Sequence, residues 1–383
     1  MNSTTAPSAP APQRVVSVDA LRGFDMFWIL GGDSLAQALK AMSGDGNGLF
    51  ARLGRGFGDQ LDHVEWAGFR FYDLIFPLFV FIVGVSLVFS LTRIVEREGR
   101  AAAHKRVLWR FVILFLLALI YSGGVSHKWP DIRLLGVLNR IALCYLFASL
   151  LFLNLRLRGL IIAFVSLVVG YWALMTFVPV PGIGAGSFAP GANLANWIDL
   201  HYLPGKRWDG TWDPEGWLST LPAIGTCLLG VFAGLLLKDV RVTPEKKSLW
   251  LMGAGVVMVV LGYLWGIQFP IVKKIWTSSF VLVAGGFSAL LLGAFHQVID
   301  VWGKQRWSTP FIWIGANAIT LYFLENIVNY ERLAARFVGG DVKAFLDNHL
   351  AAGAGHLMAA IVGLLLATAL AGFLYRRKIF LRV

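Results

Sequence analysis

Residues 63–84 read HVEWAGFRFYDLIFPLFVFIVG, and this stretch decides the fold. A histidine and acidic residues run straight into an apolar helix that still carries Asp73. Ionisable groups are costly at membrane depth and usually serve function there. Histidine is the side chain best suited to take up and release a proton near neutral pH. The segment therefore reads as the entry of a membrane helix with a reactive group at its mouth.

Working outward, runs free of Lys, Arg, Asp and Glu recur at 160–178, 216–237, 248–272 and 350–375. A span needs about 20 mostly apolar residues. The chain is 57% hydrophobic and 15% charged, with mean hydropathy +0.67, against about 25% charged in soluble domains. The expected fold is all-α and polytopic, with about ten transmembrane helices near 18–39, 69–92, 107–125, 133–153, 159–178, 215–237, 248–267, 275–297, 308–328 and 353–375. Several tryptophans mark the ends of these runs (Trp109, Trp129, Trp217, Trp276, Trp307), as an interfacial belt would.

Short loops around residues 93–106, 156–158, 238–247 and 304–306, with Arg14 and the C-terminal tail, hold eighteen Lys and Arg. The intervening loops hold thirteen, mixed with acids. Basic loops mark the cytoplasmic face, which puts both termini inside and His63 outside. The net charge of +12 follows from those loops, and no nucleic-acid motif accompanies it. Cys144 and Cys227 fall in apolar spans and read as small core residues, not as a disulfide or metal site. Residues 1–13 are Pro/Ala/Ser-rich and read as a disordered tail. The tail lacks a cleavable signal plan, so the first helix is expected to remain as an anchor. Residues 14–383 read as one membrane domain. The glycine-rich GIGAG at 182–186 follows no strand and reads as loop.

Helix 1 places Asp19, Arg22 and Asp25 near its cytoplasmic end, where Asp19 and Arg22 can pair or Arg22 can hold an anionic ligand. Asp33 closes the same helix at the outer end. Asp33, Asp73 and His63 are candidates to converge on one outer cavity, a carboxylate fixing the imidazole tautomer. Arg140 reads as mid-span, where an unpaired guanidinium is expensive. Its expected partner is Glu325, or else Arg140, Glu325 and Asn317 line a polar channel. In DPEGWLSTLP (213–222), Asp213 reads as a helix cap, Pro214 as the first helical residue and Pro222 as a kink.

Together SVDALRGF (17–24), H-x-x-W-x-G (63–68), DLIFPLFVFIVG (73–84), IRLLGVLNR (132–140), DPEGWL (213–218), KKIWTSSFV (273–281) and the Asn317/Tyr322 segment resemble the heparan-α-glucosaminide N-acetyltransferase family in its bacterial, membrane-domain-only branch. The resemblance implies an acyltransferase in a bacterial inner membrane. Acetyl-CoA held from the cytosol would donate its acetyl group to an amino sugar on the far side, with no metal. It implies catalytic roles for His63 and Asp73. Asp33, which falls where the animal enzyme has Asn, is the open member of that set. Arg22, Arg110, Arg140 and Asn317 are the candidates for holding acetyl-CoA. Expected partners are acetyl-CoA, the amino-sugar acceptor and the lipid bilayer, with a homodimer allowed and no nucleic acid. An amino-sugar transporter and an O-acetyltransferase of envelope polysaccharide remain the alternatives.

Overall fold

The computed structural model describes residues 15–381 apart from 45 and 47. The tail at 1–13 lies outside those residues. The helices in chain order are α1 (Val16–Ser43), α2 (Leu49–Gln60), α3 (Phe71–Tyr121), α4 (Val137–Asn154), α5 (Leu157–Phe177), α6 (Leu194–Tyr202), α7 (Thr220–Lys238), α8 (Pro244–Gly266), α9 (Ser278–His296), α10 (Thr309–Ala316), α11 (Ala318–Val328), α12 (Tyr330–Val338), α13 (Asp341–His349) and α14 (Ala354–Arg376). Among the described residues there is no strand, only three isolated bridges between loops.

Among the described residues, seven helices are long and apolar enough to cross a bilayer, eight if the bent pair α10–α11 makes one span. At 51 residues, α3 would be about 76 Å long at 1.5 Å per residue, more than two hydrocarbon thicknesses. It breaks at Gly99, whose φ of 85° a side-chain-bearing residue rarely adopts. Counting α3 as two spans, the bent pair as one, and adding the charged α1 gives the ten expected helices.

The sequence places some boundaries wrongly. Residues 93–106 continue as helix on both sides of Gly99 rather than forming a loop, because Glu, Arg, Lys and Ala all favour helix. α7 starts at Thr220, not near 215. Pro222 therefore falls in its first turn, where the missing N–H costs no hydrogen bond and causes no kink. Asp213 does not cap that helix; it is drawn to Arg133 instead.

α7 and α9 are largely enclosed, whereas α5 and α8 turn most of their apolar surface outward, as lipid-facing helices do. Where the first half of α3 crosses α7, the backbones nearly touch. A Cβ on Gly84 would lie 2.0 Å from the Cys227 carbonyl oxygen, and one on Gly230 would lie 1.9 Å from that of Phe81. Small residues at such crossings let dispersion hold membrane helices together. Cys144 and Cys227 are free and fully buried, as expected. Trp276 is not an interfacial residue: it is 1% exposed, packs edge-on against Phe76 and Phe280, and donates its indole N–H to Thr226 Oγ1 at 3.0 Å.

Candidate active site

One cavity of about 860 Å³ runs through the helix bundle. α3 lines it from Asp73 to Ser90, a rise of about 25 Å, so the cavity follows most of the depth of a bilayer. α1 contributes Arg22, Met26, Ile29 and Asp33, spaced to fall on one helix face. Of the sequence candidates, His63, Asp73, Asp33, Arg22, Arg110, Asn317 and Glu325 line this cavity.

At one end, Asp73 is 1% exposed in the first turn of α3. Its Oδ2 accepts the N–H groups of Arg70 (3.1 Å) and Val64 (3.3 Å), so the carboxylate caps its own helix and pins the loop that carries His63. Its Oδ1 lies 2.9 Å from His63 Nδ1. An Nδ1–H tautomer donates to that carboxylate and leaves Nε2 with a lone pair; the Lys273 ammonium, 3.1 Å from the same Nδ1, then has Asp73 Oδ1 and not the ring as its acceptor. The ring leans on Tyr72, centroids 4.8 Å apart. Asp33 lies along this wall too, and its charge bears on the Tyr72 hydroxyl.

Lys273 completes the cluster, and sequence reasoning missed it. Its Nζ lies 3.5 Å from Asp73 Oδ1 and 3.1 Å from His63 Nδ1. Burial pushes its ammonium below the usual lysine range, opposed by the charges of Asp73, Glu215 and Asp33. The lysine sits 210 positions from His63. In sequence it shows only as the first of two lysines before a membrane span, which reads as an interfacial cation. The Arg133 network was missed for the same reason. Arg133 grips Asp213 through Nε (2.8 Å) and Nη2 (2.7 Å) and Glu215 through Nη2 (2.6 Å). Burial pushes Glu215 up to about 7.

At the other end, Arg22 donates to Ser86 Oγ at 2.6 Å and pairs with Asp19 at 3.1 Å. Arg110 lies over the Tyr145 ring at 4.7 Å, and among the described residues its buried Nε has no hydrogen-bond partner. Asn317 sits where α10 and α11 meet at 69°, and among the described residues its buried Oδ1 has no partner either. A buried polar atom is costly to leave unpaired, so these two residues on the cavity wall are suited to bond a polar ligand.

Arg140 is placed differently from the expectation. It lies in the first turns of α4, not mid-span, and is fully buried behind the wall. It donates to the Gly216 carbonyl at 3.2 Å and to Ser219 and sits 5.1 Å from the Trp276 ring centroid. Glu325 does not pair with it; its Oε2 accepts the Tyr330 N–H at 3.3 Å. Asp25 is also fully buried, and among the described residues neither of its carboxyl oxygens has a hydrogen-bond partner. No group of three or more His, Cys, Asp or Glu able to hold a metal ion occurs among the described residues.

The fold and site define an all-α polytopic membrane protein built round one deep, largely apolar cavity with a histidine–carboxylate pair at one mouth. A family model described as heparan-alpha-glucosaminide N-acetyltransferase, catalytic, matches residues 56–264, and the chain belongs to that family. The Homo sapiens heparan-alpha-glucosaminide N-acetyltransferase is 26% identical over 439 aligned residues, covering 97% of this chain and 60% of the human one. The Mus musculus protein of the same name is 27% identical over 393, covering 88% and 58%. The chain thus spans about three fifths of the length of these curated relatives.

Proposed function

We propose that this protein is a transmembrane N-acetyltransferase that moves the acetyl group of cytosolic acetyl-CoA to the amine of an amino sugar, glucosamine or a glucosamine-ended glycan, on the outer side of a bacterial inner membrane. The observation that carries the reading is one cavity with His63–Asp73 at one end, Arg22 bonded to Ser86 about 20 Å further along α3, and Arg110 on the same wall. The names of the relatives supply the reaction class, and the positive-inside distribution supplies the sidedness.

Acetyl-CoA enters from the arginine end. Arg22 and Arg110 face its phosphates, because guanidinium matches phosphate geometry, and the arm reaches along α3 toward His63. Asn317, whose Nδ2 already donates to the Trp313 carbonyl at 3.4 Å, offers its Oδ1 to an amide N–H of the pantetheine arm. An amine attacks only when neutral, so the ammonium first gives one proton to solvent. The nitrogen then bonds to the acetyl carbon while His63 Nε2 takes its second proton and Asp73 steadies the imidazolium. The C–S bond breaks, and that proton passes to the departing CoA thiolate. One continuous cavity admits both substrates together, which favours direct transfer within a ternary complex over an acetyl-histidine intermediate. Asp33 acts through Tyr72, against which His63 rests.

Release of CoA thiol by purified protein given acetyl-CoA and glucosamine tests the reading. His63→Ala should abolish it, and initial-rate plots should intersect. Accumulation of glucosamine in vesicles lacking acetyl-CoA, with no thiol released, would make the protein a transporter. Turnover with hydroxyl but not amine acceptors would make it an O-acetyltransferase. His104→Cys and His201→Cys should label from opposite sides of spheroplasts, since Cys144 and Cys227 are buried; same-side labelling would refute the sidedness.

A further inference from the structure

We infer that Glu215 and Trp208 form the acceptor subsite, Glu215 receiving the ammonium of the amino sugar and Trp208 offering its indole face to the sugar ring. The inference rests on the acetyltransferase reading and deepens it.

Both residues line the cavity, as do His63 and Lys273. Contacts join Glu215 to the His63 end of the cavity: Arg133 holds Glu215 and lies over Trp208, the next residue Asp209 pairs with Lys274, and the adjacent Lys273 touches the His63–Asp73 pair.

Charge at this end selects a cation. Each fixed cation on the wall already has a carboxylate of its own: Lys273 has Asp73 at 3.5 Å, Lys274 has Asp209 at 3.5 Å, and Arg133 has Asp213 through two bonds. Arg133 on the wall and the buried Arg140 behind it face three carboxylates, Asp199, Asp213 and Glu215; one is surplus, and of the three Glu215 is the one that lines the cavity. A surplus buried carboxylate is costly without a cation, and an arriving ammonium supplies one.

The aromatic platform is built by the same arginine. Arg133 lies 5.0 Å from the Trp208 ring centroid, and Asp213 Oδ2 accepts the Trp208 backbone N–H at 3.0 Å. Trp208 nevertheless stays 68% exposed, which leaves indole surface for the C–H face of a sugar. The Arg133–Gly205 bridge anchors the segment to the start of α4. DPEGWL at 213–218, which reads from sequence as a helix start, is on this reading a recognition element.

The test is binding of glucosamine, N-acetylglucosamine and glucose to purified protein without acetyl-CoA, read as a shift in melting temperature, together with KM for each substrate. The wild type should respond to glucosamine above the two neutral sugars. Glu215→Gln should remove that preference and raise KM for glucosamine about tenfold to a hundredfold, as loss of a charged hydrogen bond does, with KM for acetyl-CoA within about twofold. Trp208→Ala, at an exposed position where folding is not at stake, should weaken all three sugars alike. Glucosamine affinity unchanged in a folded Glu215→Gln protein, or in Trp208→Ala should Glu215→Gln fail to fold, overturns the subsite while wild-type thiol release leaves the acetyltransferase reading standing. A wild type that neither binds glucosamine nor releases thiol with it overturns both, and shows it before any variant is made.

Discussion

Nδ1 of His63 lies 2.9 Å from Oδ1 of Asp73, a carboxylate that also caps its own helix. The two jobs fall on different oxygens, since Oδ2 takes the backbone N–H groups. Asp73→Asn keeps an oxygen for one of them but removes the charge that steadies an imidazolium. Turnover should fall by about 10²- to 10⁴-fold, the usual size of a general-base contribution, with helix content by circular dichroism unchanged. Near-wild-type turnover would show that His63 works without it.

Lys273 divides the charge of Asp73 with His63. Burial holds its ammonium below the usual lysine range, so turnover should fall on a basic limb below that range, as the ammonium loses its proton. Lys273→Arg, which keeps its charge there, should move that limb up. Lys273→Met should lack the limb and turn over about tenfold more slowly at neutral pH. Identical profiles in all three proteins would remove Lys273 from the site.

The spans were legible because uncharged runs of bilayer length admit few other folds. The His63–Asp73 pair was legible because ten residues separate its members, across a loop and one helical turn. The residues that complete the site were not. Lys273 lies 210 positions from His63, and Arg133 lies 80 from Asp213. Local pattern carries no record of such pairings, and Asp213-Pro214-Glu215 mimics a helix start so well that the alternative stays hidden. Arg140 misled for a related reason. Its cost in a span was foreseen, but its relief comes from the Gly216 carbonyl and Ser219, which have no charge to advertise them.

Asp33 shares the cavity wall with His63 but bears on Tyr72. The His63 ring makes its own bond to Asp73 and only leans on Tyr72. Asp33→Asn should therefore keep turnover within about threefold of wild type, while Tyr72→Ala, which removes the support under the imidazole, should lower it tenfold or more. A loss in Asp33→Asn as large as in Asp73→Asn would instead place both carboxylates on the histidine.

The cavity keeps its shape only if α3 and α7 stay in register behind it. Gly84 and Gly230 meet at that crossing, where a Cβ on Gly230 would lie 1.9 Å from the Phe81 carbonyl oxygen. Backbone cannot swing aside as a flexible side chain can, so Gly230→Val must push the helices apart. Overpacking of this kind costs about 3 kcal/mol or more, and the lost contact is not replaced by a hydrophobic driving force inside lipid. The variant should melt well below wild type in detergent. At Gly253, on α8 with nothing within 4 Å of an added Cβ, the same substitution should leave the melting temperature nearly unchanged. Equal melting of both variants would mean that the α3–α7 contact does not hold the bundle.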